Sequence, residues 1–197
     1  MTKIQIIDIQ KRVGTEPDGF WGPASERACR RYLRALMPKT HPFPTQAQVW
    51  TNKSAFGPRG FSNGASPKTA SIVMPFTTRL YGQGAALRTI SVNEVVAPSL
   101  RRVFDRIVSG GIDIGASGLD KYYGCYNPRS IRGANVASMH AYAVAVDFDA
   151  DRNGNRTHWP TRAHMPLSVM ECFAAEGWAA GGAFFSRDGM HFEATKR

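Results

Sequence analysis

Ser138-Met139-His140-Ala141-Tyr142-Ala143-Val144-Ala145-Val146-Asp147 is the stretch on which the reading of this 197-residue chain turns. From Ala141 to Asp149 the residues alternate, with Tyr142, Val144, Val146 and Phe148 on one parity and Ala141, Ala143, Ala145, Asp147 and Asp149 on the other. A period of two predicts a strand whose bulky face meets the core. The opposite face carries only methyl groups and two carboxylates, which leaves room for an ion and an extended ligand. His140 has the wrong parity to share a face with Asp147, so it is expected just before the strand or at a bulge that re-aims it.

Near the C-terminus, Asp188-Gly189-Met190-His191-Phe192-Glu193 brings a second histidine three residues after a carboxylate. Two imidazoles and one carboxylate make a three-ligand zinc set with a fourth position left to water, the arrangement of catalytic rather than structural zinc. Asp188 then stands where it would take a proton from that water. Taken singly, each fragment is ordinary, because a His or Asp near a strand end is usually a hydrogen-bonded core or surface residue. Together, in a chain with five histidines, they point to one zinc ion per chain on His140, Asp147 and His191, with Asp188 as the base.

Ser138-x-His140-x-x-x-x-Ala145-x-Asp147 followed by Asp188-x-x-His191-Phe192 resembles the zinc D-alanyl-D-alanine carboxypeptidase and L-alanyl-D-glutamate endopeptidase family. That family includes many phage endolysins and shares its fold with the hedgehog signalling domain. The resemblance runs over residues 46–194 and takes in the segment 124–133 and Glu176-Gly177-Trp178. It implies an α+β peptidase domain over residues 46–197, built on a central antiparallel sheet. It also implies zinc on His140, Asp147 and His191, Asp188 as general base, and Arg129 against the scissile carbonyl with Arg132 as its rival. Tyr126, Arg132, Ser138 and Trp178 are expected to meet the substrate. Two positions depart from the family pattern: Ala143 stands where Gly is usual, and Asp188 where Glu is frequent, with one methylene less reach.

Residues 1–38 read as a small all-α unit. Ile6, Ile9, Gln10 and Val13 lie at helical spacing and Gly14 stops the run. A turn cluster, Pro17-Asp18-Gly19-Phe20-Trp21-Gly22-Pro23, opens a second helix with an apolar stripe of Ala28, Cys29, Tyr32, Leu33 and Leu36. The cluster is similar to the Asp-Gly-x-Phe/Trp-Gly-Pro signature of the helical peptidoglycan-binding module, with Phe20 and Trp21 either plugging a small core or touching the ligand. Residues 39–45, rich in proline, are expected to be a stiff linker. Residues 46–66 read as irregular loops, and the Gly-rich stretch before Asp188 as a flexible cleft edge with Phe184 and Phe185.

Twenty-five Lys and Arg against 15 Asp and Glu give a formal charge of +10. Such a field favours polyanions. The basic residues are scattered rather than interleaved with aromatics, so no nucleic acid is expected and the acidic target is placed on the bacterial cell wall. Three cysteines without paired spacing suggest a reducing compartment and no disulfide framework. The opening residues lack the apolar run of a signal peptide and no segment approaches a membrane span, so the expected protein is a monomer made in the cytoplasm, without membrane insertion, acting on peptidoglycan after release. Asp149 to Asn155 partly resembles a calcium loop but lacks its closing Glu, and His158 and His164 read as surface residues.

Overall fold

The computed structural model describes residues 1–51, 55–57 and 66–197, so parts of the expected 46–66 loop lie outside the described residues. In chain order the elements are helices α1 (Lys3–Val13), α2 (Pro23–Leu36) and α3 (Gln46–Trp50), strands β1 (Thr69–Leu80) and β2 (Ala86–Asn93), helices α4 (Ala97–Ser109) and α5 (Ile114–Ser117), and strand β3 (Lys121–Gly124). A 3-10 turn (Met139–Tyr142) leads into β4 (Ala145–Phe148), followed by α6 (Ala150–Asn153), α7 (Leu167–Ala174), β5 (Ala179–Ala180), α8 (Gly181–Phe184) and β6 (His191–Glu193). Among the described residues one sheet of six strands results, in the order β2-β1-β3-β4-β6-β5. The chain is thus α+β, but the sheet is not wholly antiparallel as expected: β1 and β3 pair in parallel, through Arg79–Lys121 and Leu80–Tyr122.

Sequence preferences explain most boundaries. Pro75 removes a ladder donor, and the β1–β2 register shifts between Val73 and Thr78, so β1 is one irregular strand. In α4, Leu100, Val103, Phe104 and Ile107 are buried along one stripe against β1, and Phe104 meets Phe148 edge-on at 6.4 Å. The strand expected from Ala141 starts only at Ala145. Before it, Met139–Tyr142 closes a tight turn capped by Ser138, and Ala143 sits at φ 54° and ψ 34°. Both parities of β4 are buried, because neighbouring elements cover both faces of this central strand.

The helical pair shares its core with the sheet. Ile9, Val13, Ala28, Cys29 and Leu33 belong to one continuous apolar cluster with Phe173, Phe192 and Val146. Trp21 packs edge-on against Trp159 at 5.3 Å, and Arg12 and Tyr32 both bond Glu171 of α7. Residues 39–45 run over the surface as a strap: Phe43 is buried against Trp178, and Lys196 N donates to Pro44 O at 2.9 Å. Phe20 stays 72% exposed, so of the two turn aromatics only Trp21 packs.

The turn between α1 and α2 is organised by Gln10, which is buried. Its Nε2 donates to Asp18 Oδ1, Phe20 O and Ser25 Oγ, and its Oε1 accepts from Gly19 N at 2.7 Å. Gln10→Ala removes this whole set and leaves buried groups without partners. It should lower stability by about 2 kcal/mol, read as a reduced urea midpoint at unchanged slope.

Candidate metal centre

Asp147 and His191 face each other as a cross-strand pair. In the antiparallel β4–β6 ladder Ala145 opposes Glu193, Val146 opposes Phe192 and Asp147 opposes His191. His191 Nδ1 lies 3.0 Å from Asp147 Oδ1. His140 arrives from the 3-10 turn ahead of β4, with Nε2 3.2 Å from Asp147 Oδ2 and 3.1 Å from His191 Nδ1. All three residues are buried.

This triangle fits a divalent ion. Bonds of about 2.0–2.1 Å to a tetrahedral zinc place neighbouring donor atoms about 3.3 Å apart, close to the 3.0, 3.1 and 3.2 Å seen here. The outer ring atoms fix which nitrogen faces inward. His140 Nδ1 donates to Cys125 O at 2.7 Å, leaving the lone pair of Nε2 turned into the triangle. His191 Nε2 donates to Glu193 Oε2 at 3.2 Å, turning Nδ1 inward. Oriented this way, electron-pair donors converge on a point that favours a positive charge, whether a proton on His191 or a bound cation.

The charges around the triangle agree. Burial by itself opposes the charge of Asp147, but His140 and His191 outweigh it and hold the carboxyl well below its ordinary range. Burial likewise favours a neutral His191, yet its bonds to Asp147 and Glu193 raise it well above 6.5. Glu193, also buried, is held down at about 2 by His191 and Arg197. Gln46 Nε2 donates to both of its oxygens at 3.0 Å.

Asp188 sits in the same cleft, on a residue with φ 64°. Its Oδ1 is buried and has no hydrogen-bond partner among the described residues. Burial, reinforced by the charge of Asp147, raises its pKa, while His191, His140 and Arg129 pull the other way. Its position depends on Gly181, where a Cβ would collide with the Asp188 carbonyl. The glycines before Asp188 are therefore not a flexible edge as expected. Gly182 is pressed against Met170 and Trp159, and both glycines are buried.

Two lobes of cleft, of about 490 and 710 Å³, meet at His140 and Asp147. Arg129 and Arg132 line both lobes, Tyr126 lines the second, and Ser138 and Phe185 line the first. Ser138 acts on its own turn, accepting from His140 N at 3.4 Å. Arg129 is tied to that turn, since Ser138 N donates to Arg129 O at 3.1 Å, and Arg129 is the arginine whose charge acts on Asp188. Trp178, expected at the substrate, is instead fully buried: it packs on Phe43 and Phe173, and its Nε1 donates to Ser99 Oγ at 3.0 Å. An indole with its one polar atom satisfied is a core residue. Cys125 is buried and its thiol pKa is pushed up by desolvation, so its contribution is the carbonyl that orients His140.

Sequence reasoning missed Glu193, Gln46 and Arg197 around His191. Glu193 carried a signal: two residues from His191 on one strand, it shares that residue's face. No such signal marked Gln46 or Arg197, whose approach depends on the strap and the chain end.

Residues 132–194 match the family described as D-alanyl-D-alanine carboxypeptidase. The matched stretch contains His140, Asp147, Asp188 and His191 and supports a peptidase of that family. No curated protein and no solved structure matches the chain.

Two outcomes are expected. Trp178→Ala should lower stability by about 3–5 kcal/mol in chemical denaturation, with zinc content unchanged in the folded protein. The second concerns pH. The raised His191 contributes stability that is complete below 6.5 and is lost as pH rises through its folded value. The depressed Asp147 contributes above 3.8 and is lost as pH falls through its folded value. The pair therefore favours the metal-free fold most between pH 3.8 and 6.5. A zinc ion held by the triad would have to displace the proton of His191, so any stabilisation it adds should grow as pH rises. Thermal melts with and without chelator across pH test this, and a zinc increment that shrinks toward alkaline pH contradicts it.

Proposed function

We propose that this chain is a zinc-dependent peptidoglycan peptidase of the endolysin type, hydrolysing a stem-peptide amide bond between L-alanine and D-glutamate. The observation that carries the reading is the convergence of His140 Nε2, His191 Nδ1 and an Asp147 oxygen beside a buried, unpartnered oxygen of Asp188. Zinc held there supplies Lewis acidity and lowers the pKa of water toward about 7.

The chain's own residues perform the rest. Asp188 accepts the proton of the attacking water at Oδ1, where no donor among the described residues competes, and its raised pKa lets it pass that proton to the leaving amine. Arg129, tethered to the Ser138 turn, faces the charge that develops on the carbonyl oxygen. Burial of the triad excludes bulk water and strengthens these interactions.

The family's description favours a second reading, a carboxypeptidase removing terminal D-alanine. The cleft favours the endopeptidase, because two adjoining lobes, both lined by His140 and Asp147, give more room than a single terminal residue needs. The helical pair would serve as the wall-binding module, with Phe20 exposed on its turn. The cationic surface would concentrate the protein on an anionic wall.

Mass spectrometry of purified peptidoglycan after digestion, with and without chelator, names the bond and tests the metal together. New N-terminal D-glutamate that disappears with chelator is expected; release of D-alanine alone selects the carboxypeptidase. Asp188→Asn should reduce the rate by about 10²–10⁴-fold with zinc content unchanged. His140→Ala should abolish both zinc binding and lysis while residues 1–38 still retain the protein on sedimented wall; persistent lysis would falsify the site.

A further inference from the structure

The metal triad does not account for the charge of the cleft. Arg132, Arg156 and Arg187 line the lobe that holds Asp188 and His191, and all three are exposed. None has a hydrogen bond, ion pair or ring contact among the described residues. The chain's other arginines commonly do: Arg12 pairs with Glu171, Arg30 with Glu26, Arg102 and Arg106 with Glu176, and Arg197, in the same lobe, with Glu193. Three unpaired guanidiniums on one concave surface repel one another and gain most when an anion lies among them.

The backbone gives a second, independent sign. Arg187 is bracketed by two non-glycine residues in the left-handed region, Ser186 at φ 61° and Asp188 at φ 64°. An isolated bridge to His158 holds it there, and His158 Nδ1 lies 3.1 Å from Ser186 O. Strain of this kind persists only where the surroundings over-determine it, and it clusters at ligand sites.

We propose that Arg156 and Arg187, with Arg132, form a subsite for a free carboxylate of the substrate next to the scissile bond, which makes them specificity-determining residues. This rests on the peptidase reading above. A γ-linked D-glutamate keeps a free α-carboxylate beside its bond to L-alanine. A guanidinium holds such a group through two parallel N–H···O bonds, and amidation of the carboxylate removes both the charge and one acceptor. Contacts to this non-reacting group exist before and during the reaction, so they act on KM rather than on kcat.

The test uses the zinc-loaded full chain carrying Asp188→Asn, so that peptide is not consumed. It is titrated calorimetrically with two synthetic stem tetrapeptides, one with the free D-glutamate α-carboxylate and one with its amide. The acid should bind at least about 10-fold tighter than the amide. Adding Arg156→Gln and Arg187→Gln should bring the two within about 2-fold by weakening the acid alone. Arg187→Lys, which keeps the charge but loses the fork, should fall between. Equal affinity for the two peptides before the arginines are changed, or a gap that survives the double change, overturns the subsite. Digestion of purified peptidoglycan by the unmodified chain separates the two ideas. Hydrolysis without carboxylate preference removes the subsite alone, whereas preference without hydrolysis removes the peptidase reading alone.

Discussion

The pairing of β4 with β6 is the constraint from which the metal centre follows. Opposed residues in an antiparallel ladder have Cβ atoms about 4.5–5.5 Å apart, so once Val146 faces Phe192, Asp147 has only His191 to face. A slip of one residue would turn every side chain of β4 to the other side of the sheet. It would move Val146, which is fully buried, into the cleft and Asp147 into the apolar core. Backbone bonds at both ends, Ala194 N to Val144 O and Phe148 N to Met190 O, bracket the register. Hydrophobic burial on one face of β4 therefore enforces coordination geometry on the other.

The third donor has to come from outside the ladder, and the chain provides it with a strained turn. The 3-10 segment that carries His140 ends at Ala143 in the left-handed region, which costs an L-residue roughly 1–2 kcal/mol. Asn93 opposes that cost: its N–H donates to Ala143 O at 2.8 Å, and its side chain donates to Tyr142 O at 2.9 Å. The positive φ also explains physically why a glycine suits this position and why alanine, the smallest residue with a Cβ, is tolerated there. Holding the turn closed keeps Nε2 of His140 within reach of both partners.

Much of this was legible in the chain, for identifiable reasons. The parity of Tyr142 to Phe148 and the mismatch of His140 were enough to expect a strand with a histidine just ahead of it. The α1 and α2 spacing was equally clear, because burial follows a 3.6-residue period. What the sequence hid depends on contacts between distant segments. Trp178 read as a cleft residue by its place before the last ligand, but its indole turns to Ser99, 79 residues away. The glycines before Asp188 suggested mobility, yet their missing side chains are what allow Asp188 O, Met170 and Trp159 to approach. The parallel β1–β3 pair was hidden too, since it joins strands 40 residues apart through only two registered pairs.

The docking of the helical pair changes what a wall-binding role would mean. A module on a flexible linker raises local substrate concentration by an amount set by linker length, whereas a fixed one works only when both surfaces engage the substrate together. Here the pair is fixed: Trp21 sits on Trp159, Arg12 and Tyr32 share Glu171, and Phe43 anchors the strap on Trp178. None of residues 1–38 lines either lobe of the cleft, so adhesion through the exposed turn would leave the metal centre clear. Under the proposed function, binding and cutting are then set by one rigid geometry, and the spacing between Phe20 and the triad selects where along the polymer a bond can be reached.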